Sequence, residues 1–291
     1  MELRVTLNFG RHHSRADIPD LRKRLSGHCV FVDDSCLPDS ERVERVKSIN
    51  EGMKRVRRMM GRGFVMPAFG DAYNDILIEA MLPIRGMRYY LVEGYGPGRL
   101  MEIEGLREAR DAHIDDIFRF AISCYRIQDA IAKTQDYIAA TEKYIRARNA
   151  GIAEGFGRLP IELPSFFPEL ADGARVFGRF GSTHGALSGI LASSGFAVES
   201  SEEPQPGFTA RIVKKMTSGT GASLSETDVI KAMYSLLYSG FSHENRKEEL
   251  VFEEMGFERG FLALLEDVAG TRGASEKFAS ALNACASRIE L

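Results

Sequence analysis

Two histidines follow glycine at the same spacing in two separate parts of the chain. Residues 10–13 (GRHH) and 181–184 (GSTH) both have the pattern G-x-x-H. Each pattern follows an apolar stretch and precedes a helical one, so His13 and His184 are predicted at turns from strand to helix. Glycine permits such a tight turn, and the start of a helix opposes protonation of a nearby imidazole. Neutral imidazole is the form that binds metal, so the pair indicates a shared metal site.

Acidic side chains follow two further predicted strands. Asp33 and Asp34 end the strand at 28–34 (HCVFVDD), and Glu93 follows the strand that begins at residue 87. The carboxyl ends of parallel strands meet at one crevice, so we expect these carboxylates beside the two histidines. Two histidines and a carboxylate suit a divalent metal ion such as zinc, manganese or cobalt. A metal held in this way can polarise a carbonyl group for hydrolysis.

Other interpretations of the same residues stay open. His12 adjoins His13, and alternation along an extended segment turns one of them away; we favour His13 as the site residue. A histidine after a strand can also simply cap a helix. The two adjacent aspartates can be solvated turn residues, and Glu93 can form a structural ion pair with Arg88.

The pattern of apolar residues predicts an α/β fold with a central, mainly parallel sheet and flanking helices. Residues 3–34 read as strand, helix and strand, which is the βαβ unit of a parallel sheet. The predicted elements that follow are helices at 42–60 and 74–84, a strand from 87, a helical zone at 106–156, an irregular proline-rich stretch at 160–170, the strand before His184, and two strands within 195–216 around a polar turn.

The domain organisation predicted from these elements has two parts. Residues 1–225 form the α/β domain, with a helical insertion at about 106–158, and residues 226–291 form a helical C-terminal element. Ile131, Ile138 and Tyr144 recur in the insertion at the spacing of an apolar stripe. This stripe can pack against its own sheet or against a second subunit, so a homo-oligomer stays open.

Composition excludes several classes of partner. The 38 basic and 41 acidic residues give a formal net charge of −3, which provides no global attraction for nucleic acid. No apolar run approaches the roughly 20 residues that span a bilayer, and we expect no leader before the first strand. The four cysteines match neither a zinc ribbon nor a disulfide framework. We therefore expect a cytoplasmic protein that acts on a small molecule or peptide, without membrane or nucleic acid.

Four stretches resemble the TIKI/TraB superfamily, which has erythromycin-esterase and ChaN-like relatives. The resemblance runs from residue 3 to about 200 and is carried by VTLNFGRHH, CVFVDD, YIRARNAGIAEGF and ARVFGRFGSTHGALSGILASSGFAV. TIKI members are described as metalloproteases, and other relatives act on esters. The resemblance therefore implies a metal-dependent hydrolase of peptide or ester bonds.

The resemblance also implies roles for individual residues. His13 and His184 match the two motif histidines, Asp33 takes the place of a family glutamate, and Arg148 matches the family arginine. The two histidines would bind the metal, and Asp33 or Asp34 would be the third ligand or the general base. Arg148 would stabilise the oxyanion, and Glu93 would orient a histidine.

The chain departs from the family in ways that leave a second function open. Aspartate is one methylene shorter than glutamate, which displaces a ligand by about 1.5 Å. TIKI members act at membranes, whereas this sequence has no membrane segment. The alternative is a non-catalytic protein on the same scaffold that binds a small ligand, or a partner through the helical tail.

Overall fold

Strands and helices alternate along the chain, as the apolar pattern predicts. The computed structural model describes residues 1–10, 17–59, 72–122, 127–202 and 208–217, with a few isolated positions from 224 to 236. The strands are β1 (Glu2–Gly10), β2 (Val30–Asp33), β3 (Leu37–Pro38), β4 (Arg88–Leu91), β5 (Gly94–Tyr95), β6 (Gly173–Gly181) and β7 (Ala197–Glu202). The helices are α1 (Ile18–Leu25), α2 (Asp39–Met59), α3 (Ala72–Met81), α4 (Pro97–Ile122), α5 (Ile127–Phe166), α6 (Leu187–Ser193) and α7 (Phe208–Thr217).

Five strands form one parallel sheet in the order β4-β2-β6-β1-β7. The predicted α/β class with a mainly parallel sheet, flanking helices and a helical insertion is thus confirmed. The sheet interior is apolar and aromatic: the Phe31 ring stacks between the rings of Tyr89 and Phe177, with centroid distances of 6.2 Å to each. Strands buried on both faces read as nearly continuous apolar runs, which is the pattern of VFV at 30–32. A second, two-stranded sheet joins β3 and β5.

The outer edge of β4 is closed by a side chain. The Asn50 amide nitrogen donates to the Tyr89 carbonyl at 2.7 Å, and Asn50 Oδ1 accepts from the Tyr89 amide at 2.9 Å. The Asn50 carboxamide therefore takes the place of a further strand at Tyr89, where exposed backbone groups would otherwise invite pairing with another chain. Arg57, also on α2, donates to the carbonyl of Met81, the last residue of α3, and to those of Leu82, Ile84 and Met87, which follow it.

The chain divides into two compact units. One comprises Met1–Ile103 with Ile145–Pro206 and contains the whole five-stranded sheet; the other comprises Glu104–Tyr144 with Gly207–Leu291. In the described part of the second unit, Ile131, Ile138 and Tyr144 are buried, and the Arg110 guanidinium lies 4.7 Å from the centroid of the Tyr144 ring. The predicted boundary at residue 225 stays a prediction, because most of the helical tail lies outside the described residues.

Two predicted elements are wrong. Residues 160–166 are not irregular: α5 continues through Pro160 and Pro164 to Phe166. Phe156, Leu159 and Leu163 are buried along this part of the helix, and their burial outweighs the backbone hydrogen bonds that the two prolines cannot make.

The predicted strand pair at 195–216 is also wrong in its second half. β7 adds to the sheet parallel to β1, so there is no antiparallel hairpin, and Phe208–Thr217 is α7. The apolar residues of this segment that are buried, Ile212 and Val213, are adjacent, and buried Thr217 comes one helical turn later. That spacing fits a helix period rather than the alternation of a strand.

No helix in the described part of the chain is both long and apolar enough to cross a membrane.

Candidate functional site at the carboxyl edge of the sheet

The carboxyl edge of the sheet brings together most of the polar residues that the sequence singles out. Asp33 ends β2, Glu93 lies two residues beyond β4, and His184 ends the short 3-10 turn that follows β6. Because β4, β2 and β6 are neighbours in the sheet, these side chains arise from adjacent strand ends. The predicted convergence of strand ends on one edge therefore holds for these three positions.

His184 is held in one orientation by α5. The ring is buried, and its Nδ1 lies 2.6 Å from Asn149 Oδ1. An amide oxygen only accepts hydrogen bonds, so Nδ1 carries the ring hydrogen and Nε2 keeps a lone pair. Nε2 lies 3.9 Å from Asp34 Oδ2.

The environment keeps His184 neutral. Burial lowers its pKa to about 3, and the positive charge of Arg148 acts in the same direction against the weaker opposing effect of Glu93. Loss of hydration disfavours the charged imidazolium, and a nearby cation disfavours it further. His184 is therefore an uncharged side chain with an available ring nitrogen at ordinary pH.

Arg148 connects the carboxylates of two strand ends. Its Nε donates to Glu93 Oε1 at 2.8 Å, and its Nη2 donates to both Glu93 Oε2 and Asp34 Oδ2. The Tyr95 hydroxyl also donates to Glu93 Oε1, at 2.5 Å. The guanidinium thus compensates two acidic groups, one of which, Glu93, is completely buried.

Asp33 and Asp34 have different environments although they are adjacent. Asp34 faces Arg148 and the His184 ring, whereas buried Asp33 accepts from the Asp34 amide at 2.9 Å and its Oδ2 lies 3.2 Å from the Tyr89 hydroxyl. Burial and the negative charge of Asp34 raise the pKa of Asp33 to about 8. At neutral pH Asp33 is therefore a carboxylic acid, whereas Asp34 lies beside His184 and accepts from Arg148.

The alternative ion pair between Arg88 and Glu93 does not form. Arg88 begins β4 and Glu93 follows its end, so the two lie at opposite edges of the sheet. Arg88 Nη2 instead lies 2.5 Å from Glu169 Oε1. Among the described residues, the partner of His184 Nδ1 is Asn149 rather than Glu93.

His12 and His13 lie outside the described residues, but the strand that leads to them is described. In the part of the chain that the structure describes, no three His, Cys, Asp or Glu side chains come together so that they could hold a metal ion. His184 Nε2 and Asp34 Oδ2 supply two donor atoms 3.9 Å apart at this edge.

Two glycines allow α5 to reach the site. A Cβ at Gly155 would overlap the Val92 carbonyl oxygen, and one at Gly151 would overlap the Tyr95 hydroxyl. The helix therefore packs directly against the segment after β4, which places Arg148 and Asn149 over the strand ends. No local sequence pattern points to Asn149, Tyr89 or Tyr95. The two glycines four residues apart are a signal of close packing that indicates the helix contact.

Comparison with known proteins does not identify a relative: no family model, curated protein or solved structure matches the chain.

Proposed function

We propose that the chain is a metal-dependent hydrolase of peptide or ester bonds and that its site is the carboxyl edge of the sheet. The observation that carries the proposal is the register of two neighbouring parallel strands, in which Gly10 pairs with Gly181. Both G-x-x-H patterns therefore begin at the same level of the same edge, on strands about 4.8 Å apart. This register supports the proposal that His13 and His184 share one site.

His184 Nε2 and Asp34 Oδ2 can serve as two of the three protein ligands of a metal ion. Ligand atoms that share a zinc ion lie about 2.0–2.2 Å from it, which allows roughly 3–4 Å between them. The 3.9 Å between His184 Nε2 and Asp34 Oδ2 lies within that range. His13 would supply the third ligand, and the role first given to Asp33 passes to Asp34, because a protonated carboxyl group is a poor ligand. Zinc, manganese and cobalt remain the proposed ions.

The chain's own residues have separable tasks in this proposal. Asn149 fixes the His184 tautomer, so that Nε2 is the free nitrogen. Asp33 holds a proton at neutral pH and can donate it to a leaving group. Arg148 lowers the repulsion between Asp34 and Glu93 and holds both in place. A bound divalent metal would supply polarisation of the scissile carbonyl.

A second candidate is a non-catalytic binding protein on the same scaffold. It is favoured by the bonds of Arg148 to both Asp34 and Glu93, because a guanidinium used in this way already balances the carboxylates of the site. In this case the network would have a structural role, and the crevice would bind its ligand without metal.

Metal content separates the two candidates. The purified full-length chain is treated with chelator, supplied in turn with zinc, manganese or cobalt, and measured by elemental analysis beside the variants His13→Ala and His184→Ala. His28→Ala is the matched control, because His28 precedes β2 and lies at the opposite edge. We expect near-stoichiometric metal in wild type and the control, and little or no bound metal in the other two variants, because each lacks one of the three proposed ligands.

Wild-type protein that binds none of the three metals, or His184→Ala protein that retains the full amount, would contradict the hydrolase proposal. Peptide and ester substrates are then tested only with the metal that binds. The same proposal includes a small molecule or short peptide as the substrate. It also includes a cytoplasmic location.

A further inference from the structure

A second cleft lies at the amino edge of the sheet, opposite the candidate hydrolase site. Its volume is about 670 Å³, and it is lined by residues at the start of β1 and β6 and by those that precede β2 and β4. This volume is within the range of small-molecule sites. None of its residues takes part in the proposed hydrolase site, so evidence against one proposal is not evidence against the other.

The cleft carries guanidinium groups from three segments. Arg4, Arg85 and Arg175 line it, together with the carboxylates Glu2 and Asp172. Arg4 Nε pairs with Glu2 Oε1 at 3.3 Å. Within the described ranges Arg85 and Arg175 form no ion pair, and neither does Asp172. The cleft therefore has two cations without an acidic partner and one such carboxylate.

The backbone of Arg175 is held in place beside the cleft by hydrogen bonds to Cys29. Its backbone carbonyl accepts from the Cys29 amide at 2.9 Å, and its amide donates to Cys29 Sγ at 3.3 Å. The guanidinium lies against the turn at Gly27, where an added Cβ would be 3.7 Å from Nη1. Gly27 has φ of +86°, a conformation that few other residues adopt, so this turn is closely specified.

His28 reports the electrostatics of the cleft. Its Nε2 lies 3.0 Å from Thr6 Oγ1, and its ring packs edge-on against Phe177 at a centroid distance of 5.3 Å. Burial lowers its pKa, and the positive charge of Arg175 lowers it further, against opposing effects of nearby backbone carbonyls. An anion bound at Arg175 would offset its positive charge and so raise the pKa of His28.

We propose that the amino-edge cleft binds the phosphate group of a small phosphate monoester. A phosphate monoester carries a charge of about −1.5 to −2 at neutral pH, which matches the charge of Arg85 and Arg175 together. Guanidinium groups bind phosphate through paired, charge-assisted hydrogen bonds. Asp172 lines the same cleft and repels phosphate, so the organic part of the ligand would lie beside it, where the carboxylate can accept a hydrogen bond from a hydroxyl group.

The test follows the His28 ring by NMR during titration of the full-length chain with inorganic phosphate, glycerol 3-phosphate and succinate. We expect saturable shifts and a raised His28 pKa with both phosphates, and clearly weaker binding of succinate. The His184 ring at the opposite edge serves as an internal reference and should not move.

Four variants connect the shifts to the cleft. Arg85→Ala and Arg175→Ala should each weaken phosphate binding about tenfold, because each removes a charge-assisted hydrogen bond to the phosphate. Asp172→Asn should bind phosphate more tightly, since a repulsive charge is lost. Arg55→Ala is the matched control, because Arg55 is an exposed arginine of α2 that pairs with Glu51.

Three results would overturn the proposal: no saturable shift at His28 with either phosphate, equal affinity for succinate, or Arg175→Ala and Arg85→Ala variants that bind phosphate as wild type does. Arg175→Lys keeps the charge without the planar fork and should fall between wild type and Arg175→Ala. The result therefore does not depend on the folding of one variant.

Discussion

Replacing Asp33 with asparagine tests the inference that this buried carboxyl group holds a proton at neutral pH. Asparagine has nearly the same shape as a protonated aspartate. Its carbonyl oxygen can still accept from the Asp34 amide. Its NH₂ group takes the place of Oδ2, which accepts from the Tyr89 hydroxyl, and the hydroxyl oxygen can accept from the NH₂ group instead. The Asp33→Asn variant should therefore fold as wild type does and differ only in its response to pH.

The size and direction of that response follow from the pKa of Asp33. The native pKa is about 8 and the ordinary value is 3.8, so between these values the folded chain holds a proton that the unfolded chain has released. The free energy of unfolding therefore falls as pH rises through this window, by up to about 1.4 kcal/mol per pH unit. Asp33→Asn lacks this loss, so its stability relative to wild type should increase with pH by at most roughly 6 kcal/mol across the window.

The measurement is urea unfolding at several pH values between 4 and 8.5, followed by far-UV circular dichroism because the chain has no tryptophan. The quantity compared is the difference in unfolding free energy between variant and wild type at each pH. Asp20→Asn, an exposed carboxylate on α1, is the control and should show no trend with pH of this size. Asp34→Asn should shift the window to lower pH, because the negative charge of Asp34 contributes to the raised pKa of Asp33.

A difference between Asp33→Asn and wild type that stays constant from pH 4 to pH 8 would refute the reasoning. So would a wild-type ¹³C NMR titration in which the Asp33 carboxyl group ionises near its ordinary pKa. Either result would mean that Asp33 is a carboxylate at neutral pH, and the proton-donor role given to it in the proposed hydrolysis would fail with it.

Two further predictions concern the contacts that hold the site in place. Gly155→Ala should lower the unfolding free energy by several kcal/mol and disturb the site, since its Cβ would overlap the Val92 carbonyl, whereas Gly157→Ala on the open face of the same helix should be neutral or slightly stabilising in thermal melts. Equal melting temperatures for these two variants would contradict the close packing of α5. Asn50→Ala should cost roughly 2–3 kcal/mol and speed hydrogen exchange at the Tyr89 amide, and unchanged exchange there would show that the edge is protected in another way.

The sequence by itself determined the fold class and the edge of the sheet where polar residues gather. Apolar runs such as VFV at 30–32 specify buried parallel strands, and residues directly after such strands fall at a common edge whatever the details of packing. The G-x-x-H repeat could be recognised in the same way, and the register that pairs Gly10 with Gly181 agrees with the equivalence inferred from sequence.

Only the tertiary structure decided which neighbours these residues have and how they ionise. Nothing local distinguishes Asp33 from Asp34, yet one lies buried near Tyr89 and the other lies beside Arg148, so the two carboxyl groups differ in hydration and charge. Asn149 orients His184 from a position 35 residues away in sequence, because α5 crosses the strand ends where glycine lets it approach. α5 also continues through two prolines because its buried face outweighs their local cost. Long-range contacts and burial set these features, and a local pattern of residue types contains neither.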